Sequence, residues 1–333
     1  MIVGMQYSLL GVPFQRDAVL DISVIVPTHN RRAVLSRTLT LLDAQVGVGG
    51  DIETVVADDA STDGTSETVA AAARRVGYPV RYLRLERNAG PSAARNRALA
   101  VAQGRIVLFI GDDILPDPGF LGAHLRWHAA HPAATAAMVG HTRWADEMPR
   151  TALLTWLELR GTQFCYGDMR DGAVVDYGRF YTSNVSLKRA FLDASGCVFD
   201  ERLRFCEDSE FAGRLAGAGM TLHYNAAASA QHLHPTTLAS SIRRMGALGR
   251  DAATLESVSP ENFARITGGA FSAGSALRGR LLRALLSPAL GRLVYTPLAA
   301  LCARRIAADR LFAAAHASAF LSGLRAARAG RAS

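Results

Sequence analysis

The chain has 333 residues, 49% of them hydrophobic, four cysteines and a formal net charge of +8. That length supports a sizeable core, and the charge sits almost wholly in the last quarter, where twelve arginines face four acids from Arg250 onward. Residues 1–249 balance 25 basic against 25 acidic groups, which argues against a nucleic-acid-binding core.

Cys165, Cys197, Cys206 and Cys302 show no metal-binding spacing and fit a reducing compartment. Met1 to Leu10 lacks a basic start and a cleavage site, so no secretory leader is expected. No run of about 18 apolar residues suggests a membrane span.

Residues 1–20 read as a lead-in. An apolar strand over 21–27 ends at Pro27, and Thr28-His29-Asn30-Arg31-Arg32 forms a polar turn. A helix over 32–45 follows, with Val34, Leu35, Leu39 and Leu42 on one face. The unit then repeats. A strand over 52–57 runs into Asp58-Asp59, and Asp63-Gly64 turns the chain into a helix over 66–76. A strand over 80–85 leads through Asn88-Ala89-Gly90-Pro91 to a helix over 92–102. The apolar run 106–110 then stops on Gly111-Asp112-Asp113. Two adjacent carboxylates repel, so such a pair is either a solvated turn or a place where a divalent cation meets an anionic ligand.

This β-α alternation predicts an α/β fold with a mostly parallel sheet and helices on both faces. Three of the four strands end in polar or acidic residues on one rim, where open α/β sheets bind ligands. Neither a P-loop nor a GxGxxG follows the first strand.

Further on, a helix over 118–130 and a strand over 136–141 are expected. The stretch 143–176 carries Trp144, Trp156, Phe164 and Tyr166, as core or as the lining of an acceptor pocket. A strand over 181–187, a helical turn over 188–194, a helix over 208–218 and a strand over 221–225 complete this part. From about residue 240 the texture becomes Ala/Arg/Leu-rich. Residues 281–303 are apolar but interrupted by arginines and prolines, and 306–328 reads as a basic helix. The tail is either an amphipathic surface for anionic lipid or a helical cap with solvated arginines.

Val-Ile-Val-Pro-Thr-His-Asn-Arg, Val-Val-Ala-Asp-Asp-Ala-Ser-Thr-Asp-Gly-Thr, Asn-Ala-Gly-Pro-Ser-Ala-Ala-Arg-Asn and Phe-Ile-Gly-Asp-Asp together resemble the family 2 glycosyltransferases of the GT-A fold. Glu207-Asp208 and His232-Leu233-His234 continue the resemblance, which covers about residues 21–240. It implies a nucleotide-sugar half over 21–115, an acceptor half over 116–240 and a helical C-terminal region over 241–333.

It further implies inverting transfer of a sugar from a UDP-, dTDP- or GDP-linked donor, with Mg²⁺ or Mn²⁺. By the family pattern Asp113 is the metal ligand, although Gly111 stands where the usual motif has its first acid. His232 or His234 completes the metal shell, and Asp112 contacts the ribose or metal region. Pro27, Thr28 and Asn30 frame the base, and Asp58 or Asp59 accepts from it. Asn88, Gly90 and Arg95 lie beside the diphosphate. Asp208 is the base that deprotonates the acceptor, with Glu207 in support and Ser183 and Asn184 bordering donor and acceptor.

Processive synthases of this family carry Gln-x-x-Arg-Trp, and Ser241-Ile242-Arg243-Arg244-Met245 lacks it, so addition of one sugar to a glycan or lipid-linked acceptor is expected. Cell-envelope or polysaccharide synthesis in the cytoplasm, with peripheral membrane contact, follows from that reading. The alternatives are a non-catalytic nucleotide-sugar-binding domain and a sugar-phosphate nucleotidyltransferase.

Overall fold

The computed structural model describes residues 7–10, 20–267, 284–306 and 308–332. The remainder of the lead-in, and residues 281–283 of the apolar stretch, lie outside the described residues. Two compact units are formed, neither contiguous in sequence. The first comprises Met1–Ala145, Met169–Glu201 and Phe211–Leu233, and the second Asp146–Asp168, Arg202–Glu210 and His234–Ser333.

The first unit holds a ten-stranded sheet. Its strands are β1 (Tyr7–Leu10), β2 (Ile22–Thr28), β3 (Ile52–Asp58), β4 (Val80–Arg84), β5 (Ile106–Ile110), β6 (Ile114–Pro116), β7 (Ala136–Trp144), β8 (Val174–Val175), β9 (Asn184–Lys188) and β10 (Thr221–His232). The order is β1-β4-β3-β2-β5-β9-β7-β10-β6, with β8 pairing β10. Strands β4, β3, β2 and β5 run parallel, as the β-α alternation predicts. Their connections are α1 (Arg32–Asp43), α2 (Thr65–Ala73) and α3 (Pro91–Val101); α4 (Phe120–Ala130) follows β6. Every side chain of β3 and β5 is buried, consistent with a sheet covered on both faces. Leu35, Leu39 and Leu42 of α1 join Val24, Val56 and Leu108 in one cluster.

Three elements depart from the pattern read in the sequence. Part of the lead-in is a strand, β1, antiparallel to β4. Ile114-Leu115-Pro116 is a strand that pairs antiparallel with β10, Ile114 opposite His232. And β10 does not stop at Asn225 but continues to His232, with an irregularity between Asn225 and Ser229. Ala226-Ala227-Ala228 has weak strand propensity and forms the irregularity; pairing resumes with β7 at Ser229 and with β6 at Ala230, and this carries β10 on to His232.

The second unit is mainly helical. It contains α5 (Ala152–Leu159), the start of α7 (Glu207–Gly217), α8 (Leu238–Val258), α9 (Pro260–Ile266), α10 (Pro288–Leu290), α11 (Thr296–Cys302) and α12 (Asp309–Ala332); α6 (Arg189–Ser195) and the rest of α7 belong to the first unit. Thr237 and Ser240 form a reciprocal capping pair at the start of α8. Met245, Leu255, Phe263, Phe320 and Leu324 share its core, and Arg328 pairs with Glu256 at 2.7 Å. Trp156, offered by the sequence as core or pocket, is buried here against Phe312 and His316.

Candidate functional site

The rim at the carboxyl ends of β2, β3 and β5 collects most of the residues singled out from the sequence. Asp112 and Asp113 follow β5 and are buried, 5% and 7% exposed. Their mutual repulsion is answered by a residue that the sequence reading passed over. Arg31, at the head of α1, places Nη2 at 2.7 Å from Asp113 Oδ2 and Nη1 at 3.4 Å from Asp112 Oδ1. Burial works against the charge on Arg31, but the Asp113 and Asp112 carboxylates outweigh it and hold the guanidinium above its ordinary range. Thr28 donates its hydroxyl to Asp112 Oδ2 at 2.7 Å, and Thr38 of α1 donates to the Asp112 carbonyl at 2.8 Å.

His232 arrives from the far end of the sheet. Pairing of β6 with β10 sets it opposite Ile114, Leu233 N–H donates to the Asp113 carbonyl at 2.9 Å, and His232 Nε2 lies 3.1 Å from Asp113 Oδ2. Trp144 stacks on the imidazole, with centroids 5.2 Å apart and planes 18° from parallel, and so fixes its plane. His234 lies one residue beyond Leu233, at the start of the second unit.

The remaining rim groups are partly spoken for. Asp58 accepts from Ser61 N–H at 2.8 Å and from the Tyr82 hydroxyl. Asp59 accepts from Ala89 N–H at 2.7 Å and Gly90 N–H at 2.8 Å, which fixes the turn carrying Asn88 and Gly90. These are the hydrogen bonds of loop-shaping carboxylates. Asn30, in a left-handed conformation, accepts from Thr62 N–H and donates its own N–H to Ser61, tying the first rim loop to the second. Pro27 lies beside Ala57 in the parallel register. Gly90 has φ +97°, a conformation that suits glycine, and hands over to Pro91 at the first turn of α3. Arg95 is buried, with its guanidinium 5.4 Å from the centre of the Phe199 ring.

One acceptor-side candidate lies in the core. Asn184 is fully buried; its amide donates to the Ala228 carbonyl at 2.8 Å and accepts at 3.0 Å from His124 Nε2. It is a core residue of β9, because the strand's inward pleat carries it under α4. Neighbouring Ser183 precedes the strand, and its buried hydroxyl has no hydrogen-bond partner among the described residues.

In the second unit, Glu207 opens α7 and is buried, while Asp208 is partly exposed and accepts from Ser209 N–H at 2.8 Å. The approach to this helix is held by Asp251 of α8, which accepts from the N–H groups of Arg204, Phe205 and Cys206. Asp251 was not anticipated; an acid in mid-helix gives no local signal that its partners lie 45 residues away. Burial, with Asp251 next in weight, pushes the Cys206 thiol well above its usual range, so it is inert at neutral pH.

Residues 23–173 match the family model for glycosyl transferase family 2. This part of the chain belongs to glycosyl transferase family 2. The pre-mycofactocin glycosyltransferase of Mycobacterium tuberculosis is 28% identical over 294 residues, covering 86% of this chain and 57% of the relative. The chain thus spans a little over half the length of that relative.

Among solved structures, Staphylococcus aureus TarS 1–349 in complex with UDP-GlcNAc superposes with a TM-score of 0.55 at 18% identity, covering 93% of this chain and 92% of that one. The mannosyltransferase PcManGT of Pyrobaculum calidifontis, in complex with GDP-Man and Mn²⁺, gives 0.52 at 21% identity, covering 90% and 86%. Likeness at this level is one of fold, the mostly parallel sheet between helices that the motifs led us to expect. The acid pair, Thr28 and the Asp58-Asp59 turn all fall within the family 2 segment; His232, Asp208 and Asp251 lie beyond it.

Proposed function

We propose that this family 2 protein transfers one sugar from a nucleotide-sugar donor to a hydroxyl of a glycan or lipid-linked acceptor, with inversion and with a divalent cation. The observation that carries the reading is the buried Asp112-Asp113 pair at the end of β5, with His232 Nε2 at 3.1 Å from Asp113 Oδ2. Ligand atoms bound about 2.1 Å from a six-coordinate ion stand about 3 Å apart, so this carboxylate and imidazole suit one. A mixed oxygen and nitrogen donor set favours Mn²⁺ over Mg²⁺.

A cation held by Asp113 and His232, with His234 next along the chain, would offset the charge that builds on the departing diphosphate. Asp112, fixed by Thr28, faces the donor's ribose side in this reading. Pro27, Thr28 and Asn30 border the base, and Asp58 and Asp59 shape its loop. Asn88, Gly90 and Arg95 form the diphosphate side. Asp208 takes the proton of the acceptor hydroxyl as that oxygen attacks the face opposite the leaving group. Ser183 borders the acceptor, and Glu207 supports Asp208. The work belongs to cytoplasmic cell-envelope or polysaccharide synthesis.

A thermal-shift panel of UDP-, dTDP- and GDP-sugars, each with and without Mn²⁺, tests this. One donor should raise the melting temperature more with Mn²⁺ than without it, by mass action. Asp113→Ala should lose the Mn²⁺-dependent part. No response to any donor, or an undiminished Mn²⁺ effect in Asp113→Ala, overturns the metal site.

Arg31 makes a second, sharper expectation. Its Nη2 and His232 Nε2 already share Asp113 Oδ2, and a metal bond to that oxygen would compete with the guanidinium for its charge. Arg31→Gln should therefore tighten Mn²⁺ binding, measured by calorimetry without donor, by about fivefold, the scale of one partly exposed ion pair. Weaker binding in the variant would make Arg31 a support of the site instead.

A further inference from the structure

Six of the ten exposed large hydrophobic side chains noted among the described residues fall within 285–306: Leu285, Leu293, Val294, Leu298, Leu301 and Ile306. They are not a frayed end. The helical stretch formed by α10, a π-helical turn (Gly291–Tyr295) and α11 has an inner face that is firmly seated. Gly291 packs so closely on α12 that a Cβ there would stand 2.0 Å from Ser318 Oγ. The Ser318 hydroxyl donates to the Ser287 carbonyl at 2.9 Å, the Tyr295 hydroxyl donates to the Leu285 carbonyl at 2.8 Å, and Ala299 is fully buried. Helical spacing then turns Leu293, Val294, Leu298 and Leu301 to the opposite side.

Charge completes the picture. Residues 262–308 contain seven arginines and no acid. Arg292, Arg304 and Arg305 are exposed on the same stretch. A rigid apolar face rimmed by uncompensated arginines matches the boundary between headgroups and acyl chains in an anionic bilayer. A second copy of the chain fits poorly, because a two-fold contact would set arginine against arginine. No helix among the described residues is long and apolar enough to cross a membrane.

We propose that the outer face of residues 285–306 docks the protein on an anionic lipid surface, with Leu293, Leu298 and Leu301 at the acyl boundary and Arg292, Arg304 and Arg305 on lipid phosphates. This surface is separate from the sugar-transfer reading and does not depend on it.

The test is co-sedimentation of the full chain with phosphatidylcholine vesicles, with and without phosphatidylglycerol. Wild type should sediment with the anionic vesicles and far less with the neutral ones. Leu298→Ser/Leu301→Ser and Arg304→Gln/Arg305→Gln change only exposed side chains, so their melting temperatures should match wild type. Each pair should lower partitioning by about tenfold or more. Absence of wild-type binding, or equal binding by the folded variants, overturns the proposal. So does a wild-type dimer that the leucine pair dissociates while vesicle binding is unchanged, since the face would then belong to a second copy.

Discussion

Asp208→Asn should lower turnover by about 10²–10⁴ while leaving donor and Mn²⁺ affinity where they were. The asparagine keeps the shape and the hydrogen bond from Ser209 N–H but cannot take a proton, and that range is what a positioned general base contributes. The position suits the role. Glu207 and Glu210 are buried and Asp208 is partly exposed, so of the three acids in the first turn of α7 it has the readiest access to solvent. The start of α7 is held by Asp251, which limits wandering of the base. Single-turnover kinetics and calorimetry on the same preparation separate the two effects. The acid limb of the kcat/KM profile should disappear with the carboxylate. Turnover within tenfold of wild type would move the base elsewhere.

Acid should weaken the fold before its carboxylates titrate. A one-way chain of hydrogen bonds runs inward from Lys188, the single lysine in the sequence. Its ammonium donates to His128 Nδ1 at 3.3 Å and to the His131 carbonyl at 2.6 Å. His128 must then carry its proton on Nε2 and give it to Ser186 Oγ, 2.9 Å away. Ser186 in turn donates to His124 Nδ1 at 2.8 Å, and His124 Nε2 donates to Asn184. Neither ring has a place for a second proton. Burial pushes His124 down to about 3, and burial, reinforced by Lys188, pushes His128 down to about 2.

Both histidines titrate near 6.5 once unfolded, so their contribution is complete above that pH and is lost as pH falls below it. The pair should cost about 4 kcal/mol of stability at pH 5 relative to its contribution above neutrality. Urea unfolding at pH 7 and pH 5 measures the loss. His124→Gln/His128→Gln should flatten the difference, whatever it does to stability at pH 7. An equal pH dependence in wild type and variant would discard the argument.

Much of the architecture was legible because the signals were local. Apolar runs capped by Thr28, Asp58-Asp59 and Asp112-Asp113 gave the parallel strands and their common rim. What escaped depended on distant partners. Arg31 looked like one more turn residue until the acid pair closed on it across 82 positions. The resemblance set Asn184 at the border of donor and acceptor, and only the pairing of β9 with β5 and β7 shows which face it takes. The second half of β10 is alanine-rich and is a strand only because β6 and β7 flank it.

The short crossing of β6 has a consequence for the order in which the site matures. Asp113 is in place when the early strands pair, yet the partner of its Oδ2 is 119 residues later in the chain. During synthesis, the parallel strands can assemble long before His232 has left the ribosome. At the proposed metal site, cation uptake would report that the last strand has been laid against β6. A chain stalled earlier would hold Arg31 on the acid pair without His232 beside it.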